Sequence, residues 1–278
     1  MAVRILHVSD LHVGTREDPG VERALTALTA RIKPDLVVAT GDLTHRGRRP
    51  QHARAAALLR GLGTPVVAVP GNHDLPYTFP ARFTRPWADF ERVWETTEPA
   101  HSSEEVCVVG LNSARPWRHQ SGGLQEAQLV RAGEAFARAP AGALRVALLH
   151  HQLTGAPWRT RKRPVARRSH VLGSLVDAGA ELILSGHIHQ GTVSERHEFE
   201  AWSGGQRGVV VSVAPGLGRP RPRRRGEARG LLVYEADAAE IRAHTYVWRA
   251  DRWGLTAARR FPRGTEPLAD LPDFQGQT

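Results

Sequence analysis

The chain has 278 residues, of which 41% are hydrophobic and 24% charged, and its formal net charge is +10. This composition is ordinary for a soluble globular protein, and the single cysteine, Cys107, excludes a disulfide framework. No apolar run reaches the length of a membrane span or of a signal-peptide core, and the first predicted strand begins at Val3. We therefore expect a cytoplasmic protein without a leader and without membrane contact.

The positive charge is almost entirely arginine, since Lys33 and Lys162 are the only lysines. Residues 159–168 and 219–229 form two arginine-dense loops that contain prolines. Such loops attract phosphate groups, but a GC-rich coding bias explains the same composition equally well. Composition alone leaves a nucleic-acid partner open.

The first 190 residues alternate short apolar runs with segments of helical periodicity. The runs predict strands at 3–8, 36–39, 66–69, 106–111, 146–149 and 182–184. Helical spacing predicts helices at 21–32, 51–61 and 124–139, and a further helix through Leu172 and Val176. Gly61 is expected to end the second helix, and Gln128 is expected on the polar side of the third.

After residue 190 the pattern changes to strands without helices between them. Residues 209–213, 231–234 and 241–248 predict strands that pair antiparallel in a second sheet. Residues 264–278 are polar and contain prolines, which predicts a poorly ordered tail. Because the motifs described next must converge, we expect a single domain over residues 1–263.

Five short segments each end an apolar run with residues that bind metal ions. In an α/β sheet, ligands bind beyond the carboxyl ends of the strands, so these segments are expected to converge. Together they supply more donors than one metal ion needs. They are Asp10-Leu11-His12, Gly41-Asp42, Gly71-Asn72-His73-Asp74, His150-His151 and Gly186-His187-Ile188-His189.

Side-chain alternation along a strand predicts how each segment presents its donors. Asp10 and His12 are expected on one side of an extended backbone, and the two histidines of 186–189 likewise. Adjacent histidines point to opposite faces, so at most one of His150 and His151 is expected to be a ligand. The carboxylate of Asp42 is suited to bridging two cations.

The five motifs, in this order, resemble those of the calcineurin-like metallophosphoesterases, and the class III cyclic-nucleotide phosphodiesterase group looks closest. The resemblance implies an α/β fold, a four-layer α-β-β-α sandwich of two mixed sheets flanked by helices. It implies one metal held by Asp10, His12, Asp42 and His189 and a second held by Asp42, Asn72, His150 and His187. It also makes His73 the catalytic histidine and gives Asp74 the role of orienting His73 or a ligand. One departure is Gln152, which follows His151 where that group commonly has proline.

The implied chemistry is phosphoester hydrolysis with two divalent or transition metal ions, Mn²⁺, Fe or Zn²⁺. A metal-bridging hydroxide would attack phosphorus in line with the leaving oxygen. The favoured substrate is a small phosphodiester such as a 3′,5′-cyclic nucleotide. The alternative is a nuclease or DNA-processing phosphoesterase that uses the arginine-rich loops, and a non-catalytic scaffold ranks last because every motif is intact.

Substrate selection is expected from residues 75–94, 112–123 and 152–168. Residues 75–99 are predicted to form a long loop that passes into a short helix over the site. Oligomeric state is left open.

Overall fold

A computed structural model describes residues 2–15, 18–118, 120–158, 160–196, 208–219 and 226–263. Within these ranges the chain forms twelve strands and six helices. In chain order they are β1 (Val3–Val8), α1 (Pro19–Ile32), β2 (Leu36–Thr40), α2 (Arg49–Arg60), β3 (Val66–Val69), α3 (Ala81–Thr84), α4 (Ala88–Trp94), β4 (Ala100–Ser102), β5 (Val106–Gly110), α5 (Glu126–Ala137), β6 (Leu144–Leu148), α6 (Arg168–Asp177), β7 (Leu182–Ser185), β8 (Thr192–Arg196), β9 (Val209–Val213), β10 (Gly230–Ala236), β11 (Glu240–Arg249) and β12 (Arg252–Pro262).

The strands form two mixed sheets of six strands each. The first has the order β12-β11-β10-β1-β2-β3, in which β1, β2 and β3 are parallel and β10, β11 and β12 pair antiparallel. The second has the order β4-β5-β6-β7-β9-β8, in which β5, β6, β7 and β9 are parallel and the two edge strands antiparallel. The parallel strands of both sheets end at the same edge as the five motifs.

The core lies in three layers of buried side chains, which follow from alternation along the strands. Ile5 and Val38 of the first sheet pack against Val108 and Val146 of the second, between the sheets. The opposite face of the first sheet packs against α1, α2 and α4, and that of the second sheet packs against α5 and α6. This arrangement confirms the four-layer α-β-β-α sandwich.

The strand assignment after residue 190 is wrong in part. β9 belongs to the second sheet and lies parallel to β7, whereas β10 and β11 join the first sheet, where β10 pairs with β1. The sequence pattern missed β4, β8 and β12. β4 has only three residues, and the edge strand β12 is largely exposed and carries arginines, so it lacks an apolar run.

Of three further local predictions, two need correction. Gln128 is buried because its side-chain amide bonds Arg115, the backbone N–H of Gln125 and the carbonyl of Asn112. Gly61 ends α2, as predicted, although its conformation is right-handed and the positive φ of +74° belongs to Gly63. Residues 75–99 contain two helices, and the second of them, α4, packs into the outer core of the first sheet rather than over the site.

Some predictions concern parts of the chain that the structure does not test. The single domain over 1–263 stays a prediction, and the tail 264–278 lies outside the described residues, as do Arg159 and residues 220–225 of the arginine-rich loops. Among the described residues, no helix combines the length and the apolar character needed to cross a membrane.

Candidate metal centre

The five motifs meet where β1, β2, β3, β6 and β7 end, and backbone hydrogen bonds hold them side by side. The N–H of Asp10 donates to the carbonyl of Gly41 at 2.9 Å, and that of His12 donates to the carbonyl of Asp42 at 2.9 Å. In the second sheet, the N–H of Gly186 donates to the carbonyl of His150 at 3.0 Å, and the N–H of His187 reaches across to Oδ2 of Asp10 at 2.9 Å. The loops thus continue the strand pairing and form one cluster.

The backbone at this cluster differs from the extended conformation that alternation assumes. Asp10, His12, Asp42, His187 and His189 all have positive φ, between 49° and 72°. Such conformations cost about 1–3 kcal/mol each in residues other than glycine and concentrate at functional sites. The left-handed backbone, rather than strand alternation, directs these five side chains toward one another.

The first group of donor atoms comes from Asp10, His12 and His189. The Nε2 atom of His189 lies 2.9 Å from Oδ1 of Asp10 and 3.2 Å from Nε2 of His12. His12 Nε2 is also 3.9 Å from Oδ2 of Asp42, a buried oxygen with no hydrogen-bond partner. These side chains can share a metal ion.

The second group surrounds Nε2 of His150. This atom lies 3.3 Å from Oδ1 of Asp42, 3.2 Å from Oδ1 of Asn72 and 3.1 Å from Nδ1 of His187. The other nitrogen of His150 faces the carbonyl of Thr40 at 2.7 Å, and that of His187 faces the carbonyl of Gln120 at 3.2 Å. Carbonyl oxygens accept hydrogen bonds. Once both rings are neutral, as metal binding requires, their protons therefore lie toward the carbonyls, and the nitrogens that face each other carry lone pairs.

Four electron-pair donors therefore converge in the second group without hydrogens to separate them. A cation between them removes the repulsion, and carboxylate, amide and imidazole are suitable ligands for one. Asp42 lies between the groups, with Oδ2 toward the first and Oδ1 toward the second, as the sequence suggested for a bridging carboxylate. The residues present thus fit two metal ions.

The pKa shifts favour the protonation states that metal binding requires. Burial raises the pKa of Asp42, but the imidazoles of His150 and His73 outweigh it and hold this pKa well below its usual range. Burial also raises the pKa of Asp10, and His189 more than reverses the effect. Burial lowers the pKa of His12 to about 3 and that of His187 well below its usual value. The carboxylates are ionised and these two imidazoles are neutral at pH 7.

His150 gives metal binding a pH dependence. Burial lowers its pKa, but Asp42, Asp10 and the Thr40 carbonyl outweigh burial and raise it to about 9 in the metal-free protein. A metal ion binds only the neutral ring, so binding must displace a proton. From about pH 7 to about pH 8.5 we expect the Mn²⁺ association constant to rise about tenfold per pH unit.

Calorimetric titration in buffers of different ionisation enthalpy measures this displacement directly. Near pH 7.5 about one proton per chain should be released, and the absence of release would contradict the assignment. Metal affinity rises with pH, whereas the contribution of His150 to the stability of the metal-free fold falls with pH. The raised pKa stabilises the metal-free fold below the unfolded value of 6.5, and that contribution is lost as pH rises through about 9.

His73 lies beside the first group of donor atoms, and residues outside that group hold its ring in place. Its Nδ1 is 3.0 Å from the carbonyl oxygen of His45 and 3.0 Å from Oη of Tyr77. Its ring meets that of His12 edge-to-face at 4.9 Å. These contacts engage Nδ1 and leave Nε2 for a substrate, and the role of His73 as a histidine that is not a ligand stays a prediction.

His150 and His151 lie on the same side, which corrects the alternation argument. β6 ends at Leu148, so neither histidine belongs to the strand, and their rings lie 4.9 Å and 4.5 Å from that of His187. His150 contacts Asn72 and Asp42, whereas Nδ1 of His151 bonds Oγ of Ser113 at 2.9 Å. The geometry favours His150 as the ligand.

Several supporting residues were not singled out from the sequence. Ser9 Oγ donates to Asp10 Oδ2 at 2.8 Å, and a Cβ at Gly186 would lie 1.8 Å from that same Oγ. The buried ammonium group of Lys162 donates to the carbonyl of His187. His45 stacks on His73 at 5.8 Å. Nothing in a single sequence distinguishes these residues, because their roles depend on loops that meet only in three dimensions.

Asp74 has a different role from the one expected. It is fully buried and accepts hydrogen bonds from the backbone N–H groups of Leu43, Thr44 and Gly71. Burial raises its pKa. Asp74 therefore fastens the loop of Asn72 and His73 to the loop of Asp42, and it touches neither the His73 ring nor a donor atom in the contacts described.

The part of the chain that contains the five motifs is similar in sequence to known phosphoesterases. A family profile described as calcineurin-like phosphoesterase matches residues 3–191, more than half of the chain. A probable cyclic nucleotide phosphodiesterase of Rhodopseudomonas palustris is 34% identical over 132 residues, covering 46% of this chain and 47% of that protein. The 3′,5′-cyclic adenosine monophosphate phosphodiesterase CpdA of Haemophilus influenzae is 27% identical over 175 residues, covering 60% and 58%.

The fold has a similar solved structure, a purple acid phosphatase from yellow lupin seeds. It superposes with a TM-score of 0.69 at 12% identity over 98% of this chain and 57% of that chain. The chain spans about half the length of the curated relatives it matches. The structural likeness shows the sandwich architecture, and the sequence match shows the motifs within it.

Proposed function

Because the chain belongs to the calcineurin-like phosphoesterase family, we propose that it is a metal-dependent phosphodiesterase acting on a small phosphodiester such as a 3′,5′-cyclic nucleotide. The observation that carries this proposal is the position of Asp42, whose two oxygens face two separate groups of buried donor atoms. The names of the two curated relatives support the substrate class.

We assign two metal ions, Mn²⁺, Fe or Zn²⁺, to these groups. Nitrogen, carboxylate and amide donors without cysteine suit these ions. When bound, the pair supplies Lewis-acid chemistry that neutralises phosphate oxygens and lowers the pKa of water to near 7. The first ion would be held by Asp10, His12, Asp42 and His189, and the second by Asp42, Asn72, His150 and His187.

The protein's own residues then position the substrate and handle its protons. His73 Nδ1, bonded to the His45 carbonyl and to Tyr77, is the nitrogen that holds the ring in place. The His45 carbonyl keeps a proton on Nδ1, so Nε2 can donate a hydrogen bond or a proton to the leaving oxygen or to a phosphoryl oxygen only when the ring carries protons on both nitrogens. Asp74 keeps His73 and Asp42 at fixed separation through the two loops that it joins.

An activity panel on Mn²⁺-reconstituted protein tests the proposal. We expect hydrolysis of cyclic AMP, cyclic GMP and bis(p-nitrophenyl) phosphate, and at least about tenfold lower kcat/KM on p-nitrophenyl phosphate. Two cations suit either ester, so the expected preference for diesters rests on the names of the curated relatives. Preference for the monoester, or inactivity of protein carrying both metals, would refute the proposal.

A nuclease is the second candidate, and the position of the first arginine-rich loop favours testing it. That loop reaches the site, because the backbone N–H of Arg163 donates to the carbonyl of Gln120 and the ammonium group of Lys162 donates to that of His187. The same panel therefore includes single- and double-stranded DNA, with a variant carrying glutamine at Arg161, Arg163, Arg167 and Arg168. A nuclease should bind duplex DNA with a log–log salt slope of about −0.9 per neutralised phosphate. A steep slope that this variant loses, together with inactivity on small diesters, would favour the nuclease.

A further inference from the structure

An exposed set of aromatic side chains stands next to His73 and takes no part in the metal centre. Contiguous exposed apolar groups mark binding surfaces. We call this set the aromatic rim. It consists of Tyr77, Phe79, Phe83 and Trp117, which are 45%, 84%, 54% and 70% exposed.

The aromatic rim is continuous with the catalytic side of the cleft. Tyr77 Oη lies 3.0 Å from His73 Nδ1, and the two rings are 5.8 Å apart. The rings of Phe79 and Phe83 are 6.4 Å apart. Tyr77 therefore places the start of the segment that carries Phe79 and Phe83 beside His73.

A buried arginine joins the two loops that carry the rim. Arg82 Nε donates to the carbonyl of Pro116 at 2.7 Å, and its Nη1 donates to the carbonyl of Pro76 at 3.3 Å. Arg82 is 5% exposed, so it acts as an internal brace. Phe83 follows Arg82 and Trp117 follows Pro116, so this hydrogen bond holds close together the two backbone segments that carry these rings.

Two exposed arginines lie beside the aromatic residues in sequence. Arg85 comes two residues after Phe83, and Arg118 follows Trp117, whereas Arg82 is buried and turned toward the two carbonyls. Aromatic rings stack on nucleobases, and nearby guanidinium groups attract phosphates; together they are the pattern of surfaces that bind unpaired nucleotides. A lipid surface would also accept exposed phenylalanines, but it does not require a site bonded to the catalytic histidine.

We infer that the aromatic rim is a nucleobase-binding subsite, in which a base attached to the scissile phosphodiester stacks on Phe79, Phe83 or Trp117. The inference rests on the proposed function and narrows its substrate to phosphodiesters that carry a nucleoside. The base belongs either to a cyclic nucleotide or to a single strand, since both present an unpaired base beside a phosphodiester.

The test compares two esters with the same leaving group, thymidine 5′-(p-nitrophenyl phosphate) and methyl p-nitrophenyl phosphate. In the variant Phe79→Ala/Phe83→Ala/Trp117→Ala, the ratio of kcat/KM on the thymidine ester to that on the methyl ester should fall at least about fivefold, the lower end for losing one stacked base. Leu255→Ala and Val130→Ala remove exposed apolar side chains elsewhere and should leave the ratio unchanged. An unchanged ratio in the triple variant overturns the inference.

Further arms identify the source of the base and separate the two proposals. A selective loss on cyclic AMP points to a cyclic nucleotide, and a selective loss on oligothymidylate points to a single strand. If metal-loaded wild type hydrolyses neither ester, the proposed function fails. Equilibrium binding of thymidine 5′-monophosphate then tests the aromatic rim alone. Weaker binding by the triple variant than by wild type supports the nucleobase subsite, and equal binding overturns it. Loss of sedimentation with phosphatidylglycerol vesicles, without a change in the ratio, would overturn it in favour of a lipid surface.

Discussion

Replacing Asp42 with asparagine should lower the metal content from two ions per chain to one or none and abolish most of the activity. Asparagine keeps the size of the side chain and tolerates the φ of +50° at this position, so the backbone need not change. It removes the negative charge that the oxygens Oδ1 and Oδ2 present to the two groups of donors. Losing one metal ion forfeits several kcal/mol of transition-state stabilisation, about 10³-fold or more in kcat.

Metal content by inductively coupled plasma mass spectrometry, together with turnover of bis(p-nitrophenyl) phosphate, measures the result. Asp177→Asn, an exposed carboxylate at the end of α6, is the matched control and should retain both ions. If Asp42→Asn holds two ions and keeps activity within about tenfold of wild type, Asp42 is not the bridging ligand.

The variant His73→Ala should behave in the opposite way, with metals retained and turnover lost. Nδ1 of His73 is engaged by the His45 carbonyl and Tyr77, and none of the short contacts within the two donor groups involves the ring. Removing a general acid lowers kcat by about 10²–10⁴-fold. Metal analysis and steady-state kinetics on one preparation separate the two effects.

Two further variants make the outcome specific to His73. His101→Ala, in the edge strand β4, is a control for loss of an imidazole and should leave kcat unchanged. Tyr77→Phe removes one partner of Nδ1 and should cost less than His73→Ala, because the His45 carbonyl remains. Departure of a metal ion from His73→Ala would make His73 a ligand and refute its assigned role.

The sequence by itself determined the chemical identity of the site and most of the fold that carries it. Apolar runs located nine of the twelve strands in the described ranges, because a strand buried between layers must be apolar along its length. Donor residues immediately after those runs indicated where the site would form, since neighbouring parallel strands end at one edge. The motif order indicated the family, which the profile match over residues 3–191 confirms.

Strand membership was beyond sequence patterning wherever the chain returned to an earlier sheet. β9, β10 and β11 have similar apolar patterns, yet β9 pairs with β7 and β10 pairs with β1. An apolar pattern indicates that a strand is buried, but it does not indicate which of the two sheets the strand joins. Gln128 shows the same limit for a single residue, because its burial depends on partners from the loop after β5.

Only the tertiary structure decided which donors share a group and how each is aimed. Alternation placed His150 and His151 on opposite faces, but β6 ends before both, and five of the donor residues have a left-handed backbone that no periodicity encodes. His45 and Tyr77 lie in the loops after β2 and β3 and meet only at His73, and Lys162 reaches the carbonyl of His187 from the loop after β6. Sequence periodicity records the local environment of each element, whereas the separation between two loops depends on the packing of the whole sandwich.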